Sequence, residues 1–135
     1  MTSIRHEPKG EIRVIIIDES RLLEGAAIDQ CYREIEEVLG KTEESYALLH
    51  FGRVTFMSSA ALGMLIRVSK KCKEYKIMLK LCSISPEIRQ VFKITGLDKI
   101  LEIHADPAEA MAAFKKSGKL SFRRQRPSSY EVTRN

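Results

Sequence analysis

The chain has 135 residues, 44% hydrophobic and 30% charged, which suits one domain with a core and a soluble surface. That balance excludes a wholly disordered chain, a coiled-coil rod and a collagen-like fibre. No apolar run approaches the roughly 20 residues a membrane span needs. The net charge of +5 is unevenly placed, because residues 115–135 hold seven basic side chains and one acid, leaving 16 basic and 17 acidic residues over 1–114. The excess marks a basic terminal segment, and direct DNA binding is not expected. Residues 1–7 have no apolar stretch of the secretory kind, so a cytoplasmic location is the expectation.

Residues 4–8 are read as a short antiparallel edge strand. Arg13-Val14-Ile15-Ile16-Ile17 is a β-branched run that predicts a buried strand. Past the polar stretch Asp18-Glu19-Ser20-Arg21, a helix follows. Ile28, Cys31, Tyr32, Ile35, Val38 and Leu39 repeat with the helical period, and Gly40 reads as its stop. Tyr46-Ala47-Leu48-Leu49-His50-Phe51 predicts a second strand, and residues 60–75 a second helix buried along Leu62, Leu65, Val68 and Cys72. Ile77-Met78-Leu79-Lys80-Leu81-Cys82 predicts a third strand. Ser85-Pro86-Glu87 starts a third helix that turns Ile88, Val91 and Phe92 inward and ends at Gly96. Residues 100–103 are read as a short strand, and Asp106-Pro107-Ala108-Glu109 opens a last helix with Ala110, Met111 and Phe114. Such alternation predicts an α/β domain with a mostly parallel sheet of four to five strands and about four helices.

Most chemical signatures are missing. The sequence has no Gly-rich phosphate loop, Gly-x-Ser-x-Gly elbow, His-Glu-x-x-His or Cys-x-x-Cys. Cys31, Cys72 and Cys82 lie in apolar patterns, and His6, His50 and His104 are scattered, so no metal, cofactor or catalytic group is expected. What stands out is the junction Phe56-Met57-Ser58-Ser59-Ala60-Ala61-Leu62-Gly63, two hydroxyls at a helix start. The plain reading makes one serine an N-cap, worth about 1 kcal/mol. The functional reading uses the same N-terminus, whose free N–H groups and positive dipole end tolerate a phosphate.

The stretch from Val54 to Gly63 resembles the signature of STAS domains, the anti-sigma factor antagonist family. Lys80-Leu81-Cys82-Ser83-Ile84-Ser85-Pro86-Glu87-Ile88-Arg89-Gln90-Val91-Phe92-Lys93-Ile94-Thr95-Gly96-Leu97-Asp98-Lys99-Ile100 is similar to the family's second signature. The likeness covers about residues 12–114 and implies a STAS domain over 1–116, with 117–135 a basic, disordered tail. It also implies partner switching. An unphosphorylated antagonist binds an anti-sigma factor that is also a serine kinase and so frees the sigma factor. Phosphorylation separates the two, and a serine phosphatase resets them; the antagonist itself is no enzyme.

By position, the family's Asp-Ser-Ser-Gly-Leu-Gly falls on residues 58–63, making Ser59 the implied phosphoacceptor and Ser58 the fallback. The implied partner surface comprises Leu22, Leu23, Glu24, Gly25, Ser58, Ser59, Ala60, Ala61, Gly63 and Met64. His50, where the family often has Asp or Asn, is read either as a neighbour of the phosphate or as a strand-end histidine bonded to backbone. Three departures stand out: Ser58 replaces the Asp, Ala60 and Ala61 replace Ser and Gly, and residues 18–25 lack the common Gly-Glu-Leu-Asp pattern. Two other functional readings stay open. One is a structural STAS subunit in a signalling scaffold or beside a transporter; the other is a small-ligand or nucleotide sensor at the strand ends.

Overall fold

Alternation within each strand decides which face of the sheet every side chain meets. In the strand Ile12–Ile17 (β2), Ile12, Val14 and Ile16 point to one side, and Ile15 and Ile17 to the other. The computed structural model describes residues 3–116; the expected basic tail lies outside them. Strand β1 (Ile4–Lys9) pairs antiparallel with β2, as expected for the edge. Tyr46–His50 (β4), Met78–Cys82 (β6) and Ile103–His104 (β7) continue the sheet in parallel, in the order β1-β2-β4-β6-β7. Arg21–Leu22 (β3) and Phe56–Met57 (β5) form a separate two-stranded parallel ribbon.

Three helices cover one face: α1 (Gly25–Lys41), α2 (Ser59–Glu74) and α3 (Pro86–Thr95). Their apolar stripes meet Ile15, Ile17, Ala47, Leu49, Phe51 and Leu81 in the main core. The fourth helix, α4 (Pro107–Lys116), covers the other face. There Ala110 and Phe114 pack with Ile12, Val14, Tyr46, Leu48 and Cys82.

Local chemistry sets several boundaries as expected. Ser85 Oγ accepts the Ile88 N–H at 3.3 Å with Pro86 next in line, and Gly96 closes α3 at φ 81°. Asp106 Oδ1 accepts the Glu109 N–H at 2.8 Å, the cap read for α4. Three expectations need correction. Val91, expected to turn inward, is 41% exposed on α3, where only Ile88 and Phe92 are buried. Gly40 does not stop α1; it is buried in the last turn, and Thr42 ends the helix in an extended conformation with its N–H on the Val38 carbonyl. Nor is the segment 100–103 a strand throughout. Leu97–Lys99 form a 3₁₀ turn that buries Leu97 and Leu101 and leaves Ile100 exposed, so β7 is only two residues long.

The α4 face contains a buried cation. Lys80 is 4% exposed, with its ammonium 5.0 Å from the Phe114 ring centroid and hydrogen-bonded to Glu102 Oε2. His104 Nε2 lies 2.8 Å from the same carboxylate, and its Nδ1 lies 3.2 Å from Glu109 Oε2. The Lys80 hydrogen bond holds the Glu102 carboxyl below the ordinary carboxylate value. A depressed folded-state pKa gives stability that is complete above the unfolded value near 4.5 and is lost as pH falls through the folded one. Glu102 is half-exposed, so solvent screens the pair, and Glu102→Gln should cost no more than about 1 kcal/mol at neutral pH and flatten the loss of stability in acid, read from urea melts between neutral and acidic pH.

Candidate functional site

At the start of α2 two adjacent serines have different surroundings. Ser58 is the N-cap, at φ −80° and ψ 170°, and its Oγ accepts the Ala61 N–H at 3.3 Å. Its own N–H donates to the Leu22 carbonyl at 2.9 Å, and its carbonyl accepts from Leu62 N at 3.1 Å. Ser58 is therefore half-buried and held on three sides. Ser59 is the first residue of the helix and is exposed, and its hydroxyl makes no hydrogen bond among the described residues. No acidic side chain stands in the first turn of α2, while Lys71 and Lys73 occupy the last. The helix end thus presents its positive dipole without a fixed counter-charge from that turn.

The ribbon ties this junction to the approach of α1. Arg21 pairs with Phe56 and Leu22 with Met57. Thr55 binds the Ser20 carbonyl through its N–H at 2.7 Å and its hydroxyl at 2.9 Å. Residues 20–22 and 55–58 consequently form one hydrogen-bonded platform, with Gly25 opening α1 directly beyond it. Two residues per strand give too short a period to be read in sequence, so the ribbon was not foreseen.

Burial divides the ten residues assigned to the partner surface. Leu23, Glu24, Gly25, Ser59 and Ala60 are exposed, and Ser58 and Gly63 are half-buried. Leu22, Ala61 and Met64 are buried in the main core and support that surface from beneath. Strand alternation turns Leu22 inward, and the helical period does the same for Ala61 and Met64. The sequence reading also passed over Arg21 and Phe56, whose side chains lie on the outer side of the ribbon, the guanidinium carbon 5.6 Å from the ring centroid. An aromatic residue inside an apolar motif reads as core, and only the pairing of β5 with β3 turns it outward.

His50 makes its contact elsewhere. Its neighbours Tyr46 and Leu48 in β4 face α4, and alternation puts His50 on that side, whereas α2 packs on the other. Nδ1 accepts the Gly52 N–H at 3.0 Å, the backbone-bonded arrangement. Burial lowers the imidazole pKa below its ordinary value, favouring the neutral form that can accept. The ring leaves no room on Gly52, where a Cβ would stand 2.6 Å from His50 Cε1. The cysteines are buried, and burial pushes the thiols of Cys31 and Cys72 up to about 12, far from a reactive thiolate.

Residues 5–110 match the STAS domain family. The chain is 31% identical over 94 residues to the Bordetella bronchiseptica protein named as anti-sigma factor antagonist BtrV, covering 70% of this chain and 80% of that one. Among solved structures it resembles a STAS domain protein from Planctomyces limnophilus, with a TM-score of 0.71 at 24% identity over 84% of this chain and 98% of the other. It also resembles the anti-sigma factor antagonist SpoIIAA in its unphosphorylated form, with a TM-score of 0.67 at 22% identity over 84% and 96% of the two chains. At these identities the structural likeness is one of fold.

The geometry separates the serines by measurement. Ser58→Ala should lower stability by about 1 kcal/mol through loss of the cap, and Ser59→Ala should change it by less than about 0.5 kcal/mol, both read from denaturant midpoints. Gly52→Ala should destabilise the wild-type chain and cost about 1 kcal/mol less when His50 is also Ala. A double-mutant cycle with no coupling between positions 50 and 52 would contradict the packing described.

Proposed function

The chain belongs to the STAS domain family, and we propose that it is an anti-sigma factor antagonist whose binding is switched by phosphorylation of Ser59. The observation that carries this reading is the unequal use of the two serines. Ser58 Oγ is engaged in capping α2, while the Ser59 hydroxyl is exposed and unbonded among the described residues. Capping also accounts for the departure at position 58, since Ser and Asp are both strong N-caps that accept from the same turn. The change removes a charge and keeps the helix start.

In the proposed cycle the unphosphorylated chain binds an anti-sigma factor that is also a serine kinase, and the sigma factor is released. The kinase transfers the γ-phosphoryl group of ATP to Ser59 Oγ. A new O–P bond forms, the bond to the ADP oxygen breaks, and the hydroxyl proton leaves to the kinase or solvent. This chain contributes the hydroxyl and its position, with no catalysis of its own. The product carries roughly −1.5 to −2 charges at a helix N-terminus, where the dipole favours an anion by about 0.3–1 kcal/mol at an exposed site. The fold therefore tolerates the phosphate, and the partner surface around Leu23, Glu24, Gly25 and Ala60 does not. A serine phosphatase restores the binding form. In this scheme the STAS domain occupies residues 1–116, residues 117–135 are a basic extension, and the cycle runs in the cytoplasm.

Ser59→Ala should bind the partner constitutively and take up no phosphate, whereas Ser59→Asp should bind at least about tenfold more weakly, a difference of roughly 1.4 kcal/mol. Mass mapping of the protein from native cells and calorimetric titration of both variants read the two effects. Equal affinities would overturn the switch; phosphate on Ser58 would keep the cycle and move the acceptor.

A further inference from the structure

Among the described residues, the outer side of the β3–β5 ribbon is turned toward solvent. Phe56 is 47% exposed and Leu23 39%, while Leu22 and Met57 on the inner side pack against the main core. Arg21 stands over the Phe56 ring at 5.6 Å. Arg5, Arg13 and Arg53 each lie within ion-pair distance of a carboxylate, whereas Arg21, like Arg33, Arg67 and Arg89, has no such pair among the described residues. An aromatic ring, an aliphatic side chain and an uncommitted guanidinium thus share one outward side. By strand alternation Ser58 shares it too, two residues after Phe56, with Ser59 next in the chain.

We infer that this ribbon is the anchor of the Ser59-controlled interface, with Phe56 and Leu23 entering an apolar depression on the protein partner and Arg21 meeting a carboxylate at its rim. The inference deepens the switch reading and rests on it for the identity of the partner. Three physical points carry it. Aromatic and Arg side chains dominate binding energy when they are desolvated together. Backbone pairing of residues 21–22 with 56–57, reinforced by the hydrogen bonds of Thr55 and Ser58, holds these side chains before the partner arrives, so little order remains to be imposed. An apolar contact this close to Ser59 excludes water from the phosphoryl site. A dianion there would lose its hydration, against which the exposed helix dipole returns only about 0.3–1 kcal/mol, and this makes the anchor itself sensitive to phosphorylation. Charge selects the group that meets Arg21: its guanidinium has no carboxylate partner among the described residues, so the rim group opposite it is acidic. The chain's own basic segment 117–135 carries the wrong sign to fill that place.

The test uses the full chain and the protein it retains from native cells, titrated calorimetrically at low and physiological salt. Phe56→Ala should weaken binding about thirtyfold, Phe56→Leu should restore most of that loss, and Arg21→Gln should weaken binding about fivefold and reduce its salt dependence. Melting temperatures should fall by no more than about 5 °C, since Arg21 is exposed and Phe56 half-exposed. Ile94→Ser, altering an exposed apolar side chain on α3, should leave affinity within twofold. Phe56→Ala and Arg21→Gln both within twofold of wild type would overturn the anchor, as would an equal loss at Ile94. Wild-type affinity of Ser59→Asp would instead overturn the switch, while the anchor is decided by the Phe56 and Arg21 variants alone.

Discussion

The hydrogen bond from Ser58 N–H to the Leu22 carbonyl, 2.9 Å long, joins the two loops that leave the carboxyl ends of β2 and β4. It completes the β3–β5 ribbon and fixes the residue whose side chain caps α2. It also sets the direction in which Ser59 leaves the cap. Without it the helix would still form, because its apolar stripe through Leu62, Leu65, Val68 and Cys72 packs on the sheet. The surface around Ser59, however, would consist of two independent loops. The ribbon makes them one platform, which holds Arg21, Phe56 and Ser59 in a fixed arrangement.

The sheet separates this platform from the polar cluster on its other face. On the face covered by α1, α2 and α3 the packing is apolar, and the Ser58–Ser59 junction lies at its margin. Beneath, α4 is held by Phe114 and by the Lys80–Glu102–His104–Glu109 network. A charge added at Ser59 acts on an exposed helix end and meets neither set directly. That arrangement favours a switch that changes a surface and keeps its interior, consistent with two serines that differ in exposure and hydrogen bonding within one turn.

How much of this was legible in the sequence depended on the range of the interaction responsible. The Ser85 and Asp106 caps, the Gly96 stop and the main strands were readable because each is written in a few neighbouring residues or in a long apolar period. Gly40 misled because a small residue at a helix end serves equally as a stop or as a close-packed position, and tertiary packing chose the second. The strand predicted at 100–103 begins only at Ile103 because the 3₁₀ turn at Leu97–Lys99 runs on, with the Ile100 and Leu101 N–H groups both donating to the Leu97 carbonyl and Leu97 and Leu101 both buried. At the site, the motif identified the serines, but their division of labour required the Ala61 N–H on Ser58 Oγ. His50 was placed correctly at a strand end, and its bond to Gly52 was among the two readings left open; only strand parity assigned it to the α4 side.

Replacement of an acidic cap by Ser58 has a consequence for recognition. An Asp at that position would present a fixed negative charge beside Ser59 before any phosphorylation, and a partner would have to accommodate it in the bound state. With Ser58 the unmodified junction carries no formal charge, and no acid stands in the first turn of α2. The electrostatic contrast between the unmodified and phosphorylated forms is then between a neutral helix end and a dianion, with no pre-existing acid to compete for the same N–H groups or dipole. Beside a half-exposed Phe56, a neutral junction can be desolvated at low cost, and a phosphorylated one cannot. Serine at position 58 therefore keeps the helix cap and widens the difference on which the proposed switch depends.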